Sequence, residues 1–248
     1  SGVFDVNRNE TLNDDNYELV REWAESIAAQ KLHGIIFHNN FSAETCLNHE
    51  NEFISFIRVN YNHAFNPNVF RYFVYRDFLE KNADRFDNLF VTDVSDVTLM
   101  KNPFTDPFFT ENPSMLFCGD EPKILNNDWM NDHSTHLRNN IADYAAYEQT
   151  FADATLLNCG IIGGKAPLFF EFIQQLCEIH LKGNSDNKTA FTGDMGAFNY
   201  VARTRFNESI KHGCLDNRWE SLKRCSIALN RFKLGGIKSR KCTGISSR

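Results

Sequence analysis

The sequence predicts an α/β fold with a mostly parallel central sheet, folded as a single domain. Short apolar runs typical of buried strands alternate along the chain with longer segments that carry apolar residues at helical spacing. The chain has 248 residues, of which 42% are hydrophobic, so it is long enough to bury a sizeable core without disulfides. No internal repeat or long linker interrupts the alternation. We therefore expect helices packed on both faces of one sheet.

The predicted strands are short runs rich in Ile, Phe, Val and Leu. Five such runs lie at Ile35–Phe37, Phe53–Val59, Leu89–Thr92, Met115–Cys118 and Ser226–Leu229. Ile161 and Ile162 form a further run with glycines on both sides, and this pattern fits either a very short strand or a turn.

The predicted helices combine capping residues with apolar faces. In the first of them, Leu19, Trp23 and Ile27 recur four residues apart, and an aspartate can cap its start. Proline in the first turn marks the start of the second. The helices are expected at Asp14–Lys31, Asn66–Asn82, His136–Gln149, Pro167–Leu181 and Asp194–Arg203.

Charge and cysteine content exclude several classes of protein. The net charge of −6 argues against a general nucleic-acid binder. The seven cysteines include no Cys-x-x-Cys pair, so we expect no zinc cluster and mostly reduced core thiols, which favours the cytoplasm over the Golgi lumen. An anchor upstream of this chain would change that expectation. No apolar run approaches the ~20 residues of a membrane-spanning helix, so we expect no transmembrane segment.

The segment Val91–Val97 carries the most informative pattern. An apolar strand ends there in two acids, Asp93 and Asp96. In open α/β sheets, ligands bind beyond the carboxyl ends of strands. A divalent cation bound to a diphosphate needs only one or two protein carboxylates. On these residues alone, an aspartate that caps a turn, with the second acid in solvent, fits equally well.

Four segments in order along the chain resemble motifs of glycosyltransferases with the GT-A fold. Val91–Val97, followed by Asn102-Pro103-Phe104, is similar to the DxD-type motif of that family, and the other three segments flank it. They are the Arg/aromatic helix segment Arg71–Tyr75, the sugar-bordering segment Leu157–Gly164 and the Asp-containing helix start Gly193–Asn199. The resemblance covers roughly residues 34–200. It implies a GT-A-like α/β/α sandwich that moves a pentose or hexose from a nucleotide sugar, expected to be UDP-linked, to a hydroxyl of a glycan acceptor.

The resemblance also implies a role for each site residue. Mn²⁺ or Mg²⁺ would be held by Asp96 and Asp93, with His212 as the late histidine available to the metal. The nucleotide and sugar would be bound by Asp93, Arg71, Asn158 and Gly160. Asp194 would be the catalytic base of an inverting enzyme, with Glu121 and Asp120 as competing candidates because they also follow a strand. The nucleotide-binding half would cover about residues 1–110, the acceptor half about 111–230, and residues 231–248 would form a basic tail.

The sequence departs from the family pattern at the acids. They form Asp-x-x-Asp rather than Asp-x-Asp, because Ser95 occupies the third position. Which acid contacts the metal therefore stays open, and so does the stereochemistry of transfer. Ser95 also breaks the pattern of a haloacid-dehalogenase phosphatase.

Other chemistries find less support in the sequence. No Walker loop, Gly-x-Gly-x-x-Gly or nucleophilic serine elbow is present, which argues against an NTPase, a nicotinamide enzyme and a serine hydrolase. His133 and His136 lack the third ligand of a catalytic zinc site, and with Trp129 they would instead line an acceptor cleft. The remaining alternative is a non-catalytic glycan- or nucleotide-binding protein on the same fold.

Overall fold

The computed structural model describes residues 3–5, 10–12, 15–62, 64–95, 97–183, 193–213 and 237–239. Strands alternate with helices through most of this part of the chain, which confirms the α/β class. The strands are β1 (Val3–Asp5), β2 (Glu10–Leu12), β3 (Gly34–His38), β4 (Ile54–Arg58), β5 (Asn88–Thr92), β6 (Val97–Leu99), β7 (Leu116–Ile124), β8 (Thr155–Lys165), β9 (Ile210–His212) and β10 (Ile237–Ser239). The helices are α1 (Glu18–Ala29), α2 (Ala43–His49), α3 (Pro67–Asn82), α4 (Pro107–Thr110), α5 (Asp128–His133), α6 (Thr135–Asn140), α7 (Tyr144–Thr150), α8 (Ala166–Gly183) and α9 (Asp194–Arg205).

The largest sheet has four strands in the order β5-β8-β7-β9. Strand β8 is antiparallel to both of its neighbours, whereas β7 and β9 are parallel. A separate parallel pair is formed by β3 and β4, and the pairs β1–β2 and β6–β10 are antiparallel. The predicted parallel arrangement therefore holds for β3–β4 and β7–β9, and the four-stranded sheet as a whole is mixed.

Strand β8 is the main difference between prediction and structure. The sequence suggested a very short strand or a turn around Ile161, yet β8 runs for 11 residues and lies between β5 and β7. Its glycines are packing positions. A Cβ on Gly163 would lie 2.2 Å from a ring carbon of Phe90 and 2.3 Å from the carbonyl oxygen of Leu89. Glycine therefore lets an aromatic ring of β5 lie directly against β8.

Other element boundaries shift for local reasons. Helix α1 begins at Glu18 rather than at Asp14. The helix predicted over His136–Gln149 is two helices, because the backbone at Ile141 is extended between α6 and α7. The strand predicted at Ser226–Leu229 lies outside the described residues, as does most of the basic tail. The boundary near residue 110 between two functional halves stays a prediction.

The apolar core consists of two main clusters. The larger one packs α3, α8 and α9 against β7 and β8, with Tyr72, Leu116, Phe169 and Phe198 completely buried. The smaller one packs α1 against β3, β4 and β6 and includes Trp23, Ile36 and Ile54. Within it the indole Nε1 of Trp23 donates a 2.8 Å hydrogen bond to Oγ1 of Thr92, the last residue of β5. The end of β5 is thus held from the α1 side as well as by its pairing with β8.

Two further expectations concern the described residues only. Within them, no helix combines the length and the apolar character required to cross a bilayer. The cysteines there are free thiols, at Cys46, Cys118, Cys159 and Cys177, and the last three are buried.

Candidate functional site

Asp93, which follows β5, is held by Arg71 from α3. Arg71 Nη1 lies 2.5 Å from Asp93 Oδ1, and Nη2 donates to the hydroxyl of Tyr72 at 3.1 Å and to the carbonyl oxygen of Cys159 at 3.3 Å. The Arg71 side chain is 19% exposed and that of Asp93 is 44% exposed. Arg71 is therefore a fixed counter-charge for Asp93, while part of the Asp93 carboxylate still faces solvent.

The same guanidinium faces a second acid. Arg71 Nη2 lies 3.9 Å from Oδ2 of Asp194, the first residue of α9, whose side chain is 16% exposed. The thiol of Cys159 lies 3.7 Å from the same oxygen. Burial raises the pKa of the Asp194 carboxyl above its ordinary 3.8, while Arg71 and the Met195 backbone N–H act in the opposite direction. The structure thus brings together Arg71, Asp93 and Asp194, which the sequence places far apart.

Gly160 makes room for the Asp93 carboxylate. The Asp93 backbone N–H donates to the Gly160 carbonyl at 2.8 Å, which continues the β5–β8 pairing by one residue. A Cβ on Gly160 would lie 2.4 Å from Asp93 Oδ2 and 3.1 Å from Asn158 Oδ1. A protein carboxylate therefore occupies the space that the missing Cβ of Gly160 leaves free.

Replacing Gly160 with alanine is expected to disturb the site more than the fold. The new methyl group would displace Asp93 Oδ2, the far end of a partly exposed side chain, so the unfolding free energy should fall by no more than about 1 kcal/mol. If the strand end binds Mn²⁺ with UDP, as the family resemblance implies, we expect at least a roughly 10-fold loss of that affinity, since one lost charge-assisted contact has that effect. Calorimetric titration and urea unfolding measure the two effects. If Gly160→Ala keeps the wild-type affinity, Asp93 does not take part in ligand binding.

Asn158 has both ends of its amide engaged within the protein. Its Oδ1 accepts a 2.8 Å hydrogen bond from the Gly160 N–H, and its Nδ2 donates to Oε1 of Glu121. Because a backbone N–H can only donate, it fixes which end of the amide faces Glu121. Asn158 thus connects Gly160, beside Asp93, with an acid on β7.

His212 does not join the Asp93 site. Its Nε2 lies 3.2 Å from Arg203 Nη1 and its Nδ1 lies 2.8 Å from Asp120 Oδ1. Since a guanidinium only donates, Nε2 must accept and Nδ1 must carry the proton, so no ring lone pair is left for a metal. Paired residues lie in a row across β9, β7, β8 and β5, which puts the His212 backbone about 14 Å from that of Val91. The metal role predicted for His212 is not supported by this position.

The other predicted metal ligand, Asp96, lies outside the described residues. Among the residues that the structure does describe, no group of three or more His, Cys, Asp or Glu side chains converges on one point. Asp93 offers a partly exposed carboxylate at the end of β5, which is the oxygen chemistry that Mn²⁺ or Mg²⁺ prefers.

The aromatic pair predicted for an acceptor cleft is present on α5. The rings of Trp129 and His133 stack with centroids 4.1 Å apart, and Trp129 remains 40% exposed. His136, on α6, lies elsewhere: a Cβ on Gly193 would lie 2.5 Å from its Nε2. The predicted cleft residues are therefore divided between an exposed stack and a contact beside the start of α9.

The sequence did not point to the residues that hold Arg71 and Asp120 in place. Tyr72 and Cys159 contact Arg71, and the buried Arg203 reaches Asp120 through His212. Only the sequence neighbours of Tyr72 and Cys159 had been singled out. Arg203, in the last turn of a helix with the sequence Ala-Arg-Thr-Arg, has no local signal that separates it from a surface cation.

His180, on α8, is a buried histidine behind the site. It is 4% exposed, and its ring stacks on Tyr72 with centroids 5.5 Å apart and an interplanar angle of 12°. Burial lowers its pKa to about 3, and the charges of His136 and Arg71 act in the same direction. The folded protein therefore keeps this ring neutral at a pH where an exposed histidine takes up a proton.

Replacing His180 with phenylalanine is expected to flatten the dependence of stability on pH. The unfolded chain binds a proton near pH 6.5 and the folded chain only near pH 3, so this stability contribution is complete above pH 6.5 and is lost as pH falls. In that window the wild type should lose up to about 1.4 kcal/mol per pH unit through His180. Urea unfolding at several pH values measures the slope, with His33→Gln as the control for removal of one histidine. An unchanged slope in His180→Phe would contradict this account.

Neither a protein-family model nor a curated protein matches this chain.

Proposed function

We propose that this protein is a glycosyltransferase of the GT-A fold that moves a monosaccharide from a nucleotide sugar to a hydroxyl of a glycan acceptor. The observation that carries the proposal is the partly exposed carboxylate of Asp93 at the end of β5, held by Arg71, with the buried Asp194 facing the same guanidinium. A divalent cation bound to a nucleotide diphosphate is usually held by one or two protein carboxylates, and ligands of open α/β sheets bind beyond the carboxyl ends of strands. The donor is proposed to be UDP-linked, with a pentose or a hexose.

The two acids of the motif would have different roles. Asp93 Oδ1 is committed to Arg71, and Oδ2 lies against Gly160. We assign the metal primarily to Asp96, with Asp93 orienting a ribose hydroxyl and able to share the metal through Oδ2. Mn²⁺ or Mg²⁺, when bound, would neutralise charge on the leaving diphosphate. Arg71 would keep the Asp93 carboxylate oriented.

Asp194 would be the base of an inverting reaction. Its carboxylate would accept the proton of the acceptor hydroxyl as that oxygen forms a bond to the anomeric carbon. The bond from that carbon to the nucleoside diphosphate breaks, and the diphosphate leaves with the bonding electrons. The raised pKa of Asp194 suits this role, since a base is most effective when its pKa approaches the working pH.

A screen of nucleotide sugars with Mn²⁺ tests the proposal. We expect one UDP-sugar to raise the melting temperature and to be hydrolysed slowly, or transferred when a glycan acceptor is added. Stabilisation without turnover would support the alternative, a non-catalytic binding protein on the same fold. If no nucleotide sugar stabilises the protein, the proposal is wrong.

Asp96→Ala tests the metal assignment within the same screen. We expect Mn²⁺-dependent turnover to be lost, since removal of a metal ligand typically costs orders of magnitude in activity, while the melting temperature without ligand stays the same. Asp84→Ala, in the exposed turn before β5, is the control. Full Mn²⁺-dependent activity in Asp96→Ala would remove the assignment.

A further inference from the structure

Two adjacent acids on β7, Asp120 and Glu121, have different hydrogen-bond partners, His212 and Asn158. Successive side chains of a strand point to opposite faces of the sheet. Asp120 accepts from His212 at 2.8 Å, and a Cβ on Gly213 would lie 1.9 Å from its Oδ2, so the backbone at Gly213 closes over this carboxylate. Gly213 has φ +67°, a conformation that favours glycine. The Asp120 carboxylate is thus held between His212 and Gly213, with its side chain 22% exposed.

The series of hydrogen bonds that begins at Asp120 leads through His212 to the buried guanidinium of Arg203. Arg203 is 8% exposed, and its Nη2 donates to the carbonyl oxygen of Thr155 at 2.7 Å while Nη1 donates to His212. The contacts Asp120–His212–Arg203–Thr155 connect β7, β9, α9 and β8. This arrangement holds the middle of β7 in place and gives Asp120 a structural role.

Glu121 faces the Asp93 side of the sheet. Among the described residues its one hydrogen-bond partner is Asn158, which reaches it across Gly119: a Cβ on Gly119 would lie 3.2 Å from the Asn158 Cβ. Glu121 is partly exposed, and the β7–β8 register shifts immediately around it. The Glu121 carboxylate can therefore still accept hydrogen bonds from the solvent side, and the Asn158 amide sets its orientation.

Glu121 and Asp93 are close enough for one small polar ligand to contact both. Asp93 Oδ2 and Asn158 Oδ1 lie 2.4 Å and 3.1 Å from the same point beside Gly160, so they are at most 5.5 Å apart. The Asn158 amide and its hydrogen bond to Glu121 add the remaining length, so the Glu121 carboxylate lies within about 10 Å of Asp93 Oδ2. This upper limit on the separation between Glu121 and Asp93 allows one monosaccharide, with its hydroxyl groups, to contact both acids.

We propose that Glu121 binds the transferred sugar by accepting a hydrogen bond from one of its hydroxyl groups, and that Asn158 is a positioning residue for Glu121. The inference rests on the proposed function, since it places the sugar of the donor next to the Asp93 end of the site. It changes the role of Asn158: both ends of its amide are engaged, so it acts on the sugar through Glu121. It also gives Glu121 and Asp120 different roles, although the sequence had named both as candidates for the base.

The test compares the affinity for UDP with that for UDP-sugars in the presence of Mn²⁺. Calorimetric titration with UDP, UDP-xylose, UDP-glucose and UDP-galactose gives, for each protein, the factor by which the sugar improves binding. We expect Glu121→Gln to bind UDP as the wild type does and to lose about 10-fold of the improvement, since the neutral amide forms a weaker bond. Glu121→Asp, which keeps the charge but shortens the side chain, should lose it as well.

Asp120→Asn is the matched control. It keeps an oxygen for the His212 N–H and should leave the sugar-dependent improvement unchanged, even if its melting temperature falls. Retention of the full improvement in both Glu121 variants would overturn the inference, and so would a wild type that binds UDP and every UDP-sugar equally. A wild type that binds neither UDP nor UDP-sugars would instead overturn the proposed function.

Discussion

Asp194→Asn is expected to lower the rate of sugar transfer by about 10²–10⁴-fold, the usual contribution of a general base. An asparagine has nearly the same shape but cannot accept the proton of the attacking hydroxyl. Because burial already disfavours the ionised carboxylate, loss of the charge should cost little folding stability. The nucleotide sugar should bind within a few-fold of the wild-type affinity. The measurement is kcat for transfer alongside the Kd of the donor.

The comparison between rate and affinity decides the role of Asp194. Asp153→Asn, at an exposed turn, controls for the general effect of removing one carboxylate. If transfer and donor binding fall by the same factor, Asp194 holds a sugar hydroxyl or caps α9, and the base must be another acid. Glu121 would then be the first alternative, because it also lies near the Asp93 end of the site.

Arg71→Met is expected to destabilise the fold by about 2–3 kcal/mol, below the range for fully buried pairs because Asp93 is partly exposed. The substitution removes the contact with Asp93 Oδ1 and leaves the buried Asp194 without its counter-charge. Urea unfolding measures the loss. Arg76→Met, on the same helix, is the matched control, because Arg76 pairs with the exposed Asp77 and such surface pairs contribute at most about 1 kcal/mol. Equal losses in the two variants would contradict a buried role for Arg71.

The same variant should shift the pH dependence of transfer. Arg71 lowers the pKa of Asp194, so its removal lets burial raise that pKa further. A base is active when ionised, and activity rises with pH through its pKa. The acidic limb of the kcat profile should therefore move to higher pH in Arg71→Met. A limb that stays in place would show that another group controls it.

Much of the fold could be predicted because most elements carry local signals. Apolar spacing and proline at the first turn placed α1 and α3, and α8 follows the same apolar pattern. Strand β8 could not be predicted, because a central strand normally lacks glycine and this one contains three, at Gly160, Gly163 and Gly164. Those glycines are explained only by what lies against them, such as the Phe90 ring, and a pairing partner some 70 residues away leaves no local pattern.

The site shows the same limit. The strand end at Asp93 and the helix start at Asp194 were found by motif, but their common partner Arg71 had been expected to meet the nucleotide itself. His212 was selected by its position late in the sequence, whereas its ring is committed to Asp120 and Arg203. Which donors remain available to a ligand is a property of tertiary hydrogen bonding, and sequence alone does not contain it.

The hydrogen bond from Trp23 to Thr92 gives the molecule an internal optical probe. The indole is 7% exposed and is bonded to the residue that immediately precedes Asp93. Indole emission responds to nearby charge and to the strength of the bond at its N–H. A cation or diphosphate arriving at Asp93 would therefore change the surroundings of Trp23. Trp129→Phe removes the emission of the exposed indole on α5, and Trp219→Phe removes that of the third tryptophan in the chain. Occupancy of the strand end can thus be followed in the unlabelled protein, on the timescale of mixing and without any assay of turnover.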